Sequence, residues 1–118
     1  MKFEIICTGW NCETYIKKCI QSVINQTYQN FHLHLINDGS TDGTGATLDK
    51  YTGHPKITVY NHTENKGAAL RRMEVVRPLN DDSVCLLLGM DDELLAGCLE
   101  RVKKEYDNGK LMTYGNWK

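Results

Sequence analysis

The sequence predicts an α/β fold built on a mostly parallel sheet. Three observations predict it. Short apolar runs alternate with stretches of helical periodicity, turn-forming residues follow the apolar runs, and one run, Val84 to Leu88, is apolar without a break. A chain of 118 residues fits one compact domain with a real core.

Phe3 to Thr8 reads as a buried strand closed by Gly9. Glu13 to Gln26 reads as a helix, with Ile16, Cys19, Ile20, Val23 and Ile24 as its buried stripe. Phe31 to Ile36 is a second strand, and the turn formers Asn37-Asp38-Gly39-Ser40-Thr41-Asp42-Gly43 follow it. A short helix is expected from Thr44 to Tyr51, a third strand from Ile57 to Tyr60, and a helix from Gly67 to Val76. Pro78 stops that helix because its ring blocks continuation. The unbroken apolar run Val84 to Leu88 fits a central strand buried on both faces. Leu94, Leu95, Leu99 and Val102 mark a last amphipathic helix ending near Asn108-Gly109, and Leu111 to Tyr114 fits a fifth strand.

Composition narrows the function. A net charge of −1 gives no electrostatic reason to expect nucleic acid as a partner. No apolar run approaches the ~20 residues of a membrane span, and the N-terminus lacks the apolar stretch of a signal peptide. The five cysteines, Cys7, Cys12, Cys19, Cys85 and Cys98, are odd in number and contain no Cys-x-x-Cys. Neither a disulfide framework nor a ribbon-type zinc site is expected. Cys7, Cys19 and Cys85 read as small buried hydrophobes, which fits a reducing, cytoplasmic compartment. Peripheral attachment to the cytoplasmic face of a membrane stays open.

Ligands of open α/β sheets bind beyond the carboxyl ends of the strands. Three such ends carry unusual residues: Thr8-Gly9-Trp10-Asn11, Asn37-Asp38-Gly39-Ser40 and Gly89-Met90-Asp91-Asp92. An aromatic plate, a carboxylate in a tight turn and a carboxylate pair suit a nucleotide held by stacking, hydrogen bonds and a cation. Adjacent carboxylates repel unless a cation or donor balances them, and a hard divalent ion bridging to a diphosphate does so. The plainer alternative is that Asp91 ends the strand and Asp92 caps the next helix. Trp10 has its own plainer reading as a core aromatic. Lys66, Arg71 and Arg72, near a helix N-terminus, are either a solvated face or a phosphate site. His32 and His34 share a strand face without a third ligand nearby, and a covered polar face accounts for them. Asp38, Ser40, Asp42, Gly43 and Asp49 mimic a calcium loop, but a strand precedes the loop and Asp49 stands where a bidentate Glu is usual.

Ile24-Asn25-Gln26-Thr27-Tyr28, followed by Ile36-Asn37-Asp38-Gly39-Ser40-Thr41-Asp42-Gly43-Thr44, resembles the inverting family-2 glycosyltransferases of GT-A fold. Asn65-x-Gly67 with Arg72 is similar to the family's third-loop motif. Asp91-Asp92-x-Leu94-x-x-Gly97-x-Leu99-Glu100 is similar to the segment around its D-x-D metal motif. The likeness runs along nearly the whole chain. It implies a three-layer fold, of which this chain is the nucleotide-sugar-binding part.

By position, the resemblance puts Thr8 and Trp10 at the nucleobase pocket, with Trp10 in place of the usual Tyr. It puts Asp38 on the base, Arg72 and Asp92 near the donor, and Asp91 on Mn²⁺ or Mg²⁺. Gly89 stands where the first Asp of D-x-D is common, and Ala96 stands where a Pro is usual. Family members continue into an acceptor-binding part that carries the general base. No residue here takes that role, since Glu93, Glu100 and Glu105 read as cap or surface residues. The resemblance implies transfer of a sugar from a nucleoside-diphosphate donor, a UDP-sugar, to a hydroxyl on a carbohydrate, lipid or protein. The rival expectations are a non-catalytic nucleotide-sugar-binding module and a nucleotidyltransferase. The second lacks its Gly-rich loop with a following Lys. Self-association or a partner chain is expected at an edge where the remainder of such an enzyme packs.

Overall fold

The computed structural model describes residues 1–79 and 82–107. Its strands are β1 (Phe3–Gly9), β2 (Phe31–Asp38), β3 (Ile57–His62) and β4 (Val84–Gly89). They alternate with helices α1 (Ile16–Ile24), α2 (Thr44–Asp49), α3 (Ala68–Val76) and α4 (Cys98–Asp107). The sheet order is β3-β2-β1-β4, and every pairing is parallel. The expected α/β class with a parallel sheet is therefore what the chain adopts. The fifth strand expected at 111–114 and the helix end expected near 108–109 lie outside the described residues.

Alternation along the strands assigns two buried faces. Phe3, Ile5 and Cys7 of β1, with Leu33, Leu35, Leu86 and Leu88, pack against Ile16, Cys19, Ile20 and Val23 of α1 and Leu99 and Val102 of α4. On the opposite face Ile6 and Ile36 pack against Val75 of α3, with Tyr60, Val76 and Leu79 around them. Helices thus cover both faces of the sheet, as parallel strands require.

Several expected boundaries shift. Helix α1 begins at Ile16, three residues late, because Cys12 carbonyl accepts from both Tyr15 and Ile16 N–H in a preceding turn. Helix α4 begins at Cys98, after Gly97 at φ +75°, so Leu94 and Leu95 lie in the connecting loop instead of the helix. The largest correction concerns Val84–Leu88. Among the described residues β4 has one neighbour, β1, and Cys85 and Leu87 are exposed. An unbroken apolar run marks a strand whose two faces are apolar, and it says nothing about which neighbours cover them. Here α3 covers Ile6 and Ile36 but leaves Cys85 and Leu87 in the open. Cys7 and Cys19 are buried as expected, whereas Cys85 is not.

The chain runs outward from β1 to β2 and β3, then returns to place β4 on the other side of β1. That reversal opens a crevice at the carboxyl ends of β1 and β4, where doubly wound sheets bind ligands.

Candidate functional site

At the crevice the ends of β1 and β4 are tied together. Met90 N–H donates to Thr8 carbonyl at 3.0 Å, and the Met90 side chain is fully buried. A Cβ on Gly9 would lie 2.6–2.7 Å from the Met90 side chain, so the bare backbone of Gly9 is what admits it. With Met90 turned inward, Asp92 N–H donates to Gly89 carbonyl at 3.0 Å and closes a turn. Asp91 is exposed and Asp92 half-buried. A Cβ on Gly89 would lie 2.8 Å from Asp91 Oδ1 and 3.1 Å from Asp92 Oδ2, so both carboxylates face the space above the Gly89 backbone.

The segment after this turn is anchored to α1. Ser22 Oγ accepts from Leu94 N–H at 3.0 Å. Gln26, buried just past α1, donates to Leu95 carbonyl at 2.9 Å and accepts from Leu99 N–H at 3.1 Å. Cys19 Sγ also reaches Gly89 carbonyl, at 3.7 Å. Gln26 is thus the residue through which the Asn25-Gln26-Thr27 motif fixes the segment between the carboxylate turn and α4, a role sequence reasoning did not assign. Its signal was a buried amide at the end of an apolar stripe.

Trp10 stands beyond β1 at 49% exposure, so it is not the core aromatic of the plainer reading. Asn11 follows with φ +51°, the left-handed region that Asn tolerates better than most residues. Its Oδ1 accepts from the N–H groups of Thr41 and Asp42 at 2.8 and 3.3 Å. Its own N–H donates to Ser40 Oγ at 2.9 Å. Cys12 N–H donates to Thr44 Oγ1, and Gly43 N–H donates to Glu13 Oε1, both at 3.0 Å. Asp42 caps the following turn, and its bonds from Thr44 hold its carboxyl below the usual range. This clasp between the loops after β1 and β2 was not foreseen. Its one sequence signal is Asn11 beside a turn rich in small polar residues.

At the end of β2, Asn37 accepts from Ser40 N–H and donates to Asn61. Asp38 is buried at 4% exposure. Its Oδ1 accepts from Lys66 N–H and Arg71 Nε, each at 2.9 Å, and its Oδ2 accepts from Gly67 N–H at 3.0 Å. Burial pushes the Asp38 carboxyl up, but these backbone and guanidinium donors outweigh it and hold it below the usual carboxylate range. Arg71, the cation the sequence left as a solvated or phosphate-binding residue, is buried and also donates to Glu64 carbonyl at 2.7 Å. Arg72 lines an open groove of about 400 Å³ between α3 and β4, with Cys85 and Leu87 on its far side. Its Nε is buried without a hydrogen-bond partner among the described residues.

The structure therefore brings Thr8, Asp91 and Asp92 together at the β1–β4 crevice, with Trp10 on the loop leaving β1. Asp38 stands at the next strand end, engaged with α3. Arg72 lies one turn into α3, on the groove beside β4. The calcium-loop look-alike is committed elsewhere: Asp38 to Arg71, Asp42 to Thr44, and Asp49 to Asn61. His34 lies between Glu4 and Tyr60, and His32 bonds Thr58, so both belong to a covered polar face. Among the described residues no group of three or more His, Cys, Asp or Glu side chains is placed to hold a metal. Nor is any described helix long and apolar enough to cross a membrane.

Residues 5–118 match the model of glycosyl transferase family 2. The chain is 31% identical to an uncharacterized glycosyltransferase of Haemophilus influenzae over 97% of this chain and 46% of that protein. It is 26% identical to the glycosyltransferase GlyG of Streptococcus pneumoniae over 86% of this chain and 34% of that one. The fold is similar to that of S. aureus TarS 1-349 in complex with UDP-GlcNAc, with a TM-score of 0.78 at 24% identity. That match covers 92% of this chain and 32% of that one. The chain thus spans from a third to a half of the length of these proteins. A parallel sheet between helix layers, its residues placed at the β1–β4 crevice, is the GT-A arrangement, and the chain belongs to glycosyltransferase family 2.

Proposed function

We propose that this chain is the donor-binding part of a glycosyltransferase that moves a sugar from a UDP-sugar to an acceptor hydroxyl, with inversion at the anomeric carbon. The observation that carries this reading is the pair of carboxylates facing the bare backbone of Gly89 at the topological switch point. The solved TarS complexes with UDP and UDP-GlcNAc support the choice of nucleotide.

Mn²⁺ or Mg²⁺ fits this donor set. Such ions take one or two carboxylates together with substrate phosphates, and Gly89 leaves a space there that a Cβ would fill. Asp91 would hold the cation, which when bound would neutralise the charge that builds on the departing nucleoside diphosphate. Trp10 presents an exposed indole face on which the base stacks. Thr8 forms the floor, and Asp38 orders the loop beside the base and accepts from it. Arg72 turns toward the donor's anionic groups, which supply the acceptor its Nε lacks. The residue that deprotonates the acceptor belongs to the remainder of a full-length enzyme, as does recognition of the carbohydrate, lipid or protein acceptor. The enzyme works in the cytoplasm.

Thermal denaturation tests the reading. UDP with Mn²⁺ should raise the melting temperature, by roughly 2.7 kcal/mol of added stability at a ligand concentration about a hundred times Kd. Asp91→Ala should remove the metal-dependent part of that shift. Absence of any shift with millimolar nucleoside diphosphate and metal refutes the donor site.

A further inference from the structure

We infer that Asn11 is a positioning residue for the nucleobase: it fixes where the Trp10 indole stands relative to the loop that Asp38 heads. This inference rests on the proposed donor site and adds to it a residue that acts through its neighbours. Trp10 is half exposed and makes no side-chain hydrogen bond among the described residues, so its backbone is what places it. That backbone is held on both sides. Gly9, before it, lies in register with Asn37 of β2. Asn11, after it, has φ +51° and is bonded across to the loop after β2.

Asn11 engages three successive residues of that loop. Its N–H donates to Ser40 Oγ at 2.9 Å, and its Nδ2 donates to Thr41 Oγ1 at 3.1 Å. Its Oδ1 accepts from Thr41 and Asp42 N–H at 2.8 and 3.3 Å. The same loop is pinned at its start, where Asp38 accepts from Lys66, Gly67 and Arg71. The two elements proposed to meet the base, an indole and a carboxylate, are thus joined through Asn11. Stability explains this arrangement poorly. Asn11 is half-buried, its bonds to Thr41 and Asp42 are exposed, and a left-handed backbone costs energy in a residue other than glycine. Glycine would take that backbone freely but has no amide to reach the second loop. Preorganisation does explain it. An aromatic plate that must be ordered as the ligand binds loses affinity, by about twofold to tenfold.

The experiment is a double-mutant cycle on UDP affinity, read by calorimetric titration in millimolar Mn²⁺, with far-UV circular dichroism to check folding. Its members are the wild type, Asn11→Gly, Trp10→Ala and the double variant. Asn11→Gly keeps the left-handed backbone and removes the side-chain bonds to Thr41 and Asp42. It should weaken UDP binding about threefold to tenfold. With no indole to place, the same substitution in Trp10→Ala should cost less than about twofold. An equal loss in both backgrounds would make Asn11 merely structural and overturn the inference. So would affinity within about twofold of wild type in Asn11→Gly; in both cases UDP binding by the wild type leaves the donor site standing. If Asn11→Gly does not fold, Ser40→Ala with Thr41→Val replaces it in the cycle under the same criteria, since it removes the acceptors of Asn11 N–H and Nδ2. Wild-type affinity in Trp10→Ala overturns the indole plate and the inference with it. Absence of UDP binding by the wild type overturns the donor-site reading itself.

Discussion

Asp38 is the residue whose replacement separates two roles most cleanly. In the proposed function it contacts the nucleobase. In the structure both its oxygens accept from the protein, from Lys66 and Gly67 N–H and from Arg71 Nε. Asp38→Asn keeps the shape but makes one acceptor a donor, so one N–H of the loop before α3 then faces an NH₂ group. An unsatisfied buried donor costs about 1–3 kcal/mol. Arg71, 4% exposed, also loses its buried counter-charge, and breaking such a pair typically costs ~3–5 kcal/mol. These penalties overlap, and Arg71 keeps its bonds to Glu64 carbonyl and the half-exposed Glu74. We therefore expect about 3 kcal/mol, near the low end. For a domain of this size that lowers the melting temperature by roughly 9–15 °C. Urea unfolding followed by far-UV circular dichroism measures it, with the slope m checked for constancy. A loss below about 1 kcal/mol would refute the assignment of Asp38 as a structural clamp. If UDP affinity then fell while stability held, contact with the base would be its whole role.

Trp10→Ala should weaken UDP binding by about 1–3 kcal/mol while leaving stability within about 0.5 kcal/mol, because the indole is half exposed; calorimetric titration reads the first and urea unfolding the second. Gly39→Ala should destabilise by about 2–4 kcal/mol, since φ is +73° and the new Cβ would meet the Glu64 carbonyl carbon at 2.5 Å, a backbone atom that cannot step aside. Stability should fall as pH drops below about 4. Burial pushes Glu4 up, yet His34 and Lys2 hold it below the usual range, and Asp38 is depressed likewise, so both contribute stability above their unfolded pKa that is lost as pH falls through the folded values. Asp38→Asn should flatten that acid limb, and an unchanged limb in melting curves from pH 7 to 3 would count against the assignment.

The succession of strands and helices was legible because burial on parallel strands leaves a strong mark in composition. Phe3–Thr8 and the stripe Ile16, Cys19, Ile20, Val23 show it plainly. Cover was not legible for Val84–Leu88: an apolar strand reads the same whether both its faces are covered or one is open at Cys85 and Leu87. Side-chain polarity located the strand ends that carry chemistry, but partners were hidden. Lys66, Arg71 and Arg72 look alike in sequence. Only the helical phase of α3 and its approach to β2 decide that Arg71 turns inward to Asp38 while Arg72 faces β4. The clasp by Asn11 was equally hidden, since it joins residues 30 apart through a left-handed backbone that the sequence permits but does not require.

Side-chain hydrogen bonds at the carboxyl ends of the strands tie the strand-end loops to their neighbours. Asn11 binds the loop after β1 to the loop after β2, Asp38 binds β2 to the start of α3, and Gln26, just past α1, binds the loop after β4 at Leu95. Each such bond adds only about 0.5–1.5 kcal/mol net, so stability alone explains their concentration poorly. Their effect on geometry is larger. A catalytic site gains from groups fixed before charge develops, since no energy is then spent in turning them. Trp10 and Asp91, the exposed residues of the proposed site, make no side-chain hydrogen bond among the described residues. Each is flanked by residues that do, Asn11 beside Trp10 and Met90 beside Asp91. The side chains offered to a ligand are thereby held by their backbone, and the nucleotide need not compete with the protein for their polar atoms.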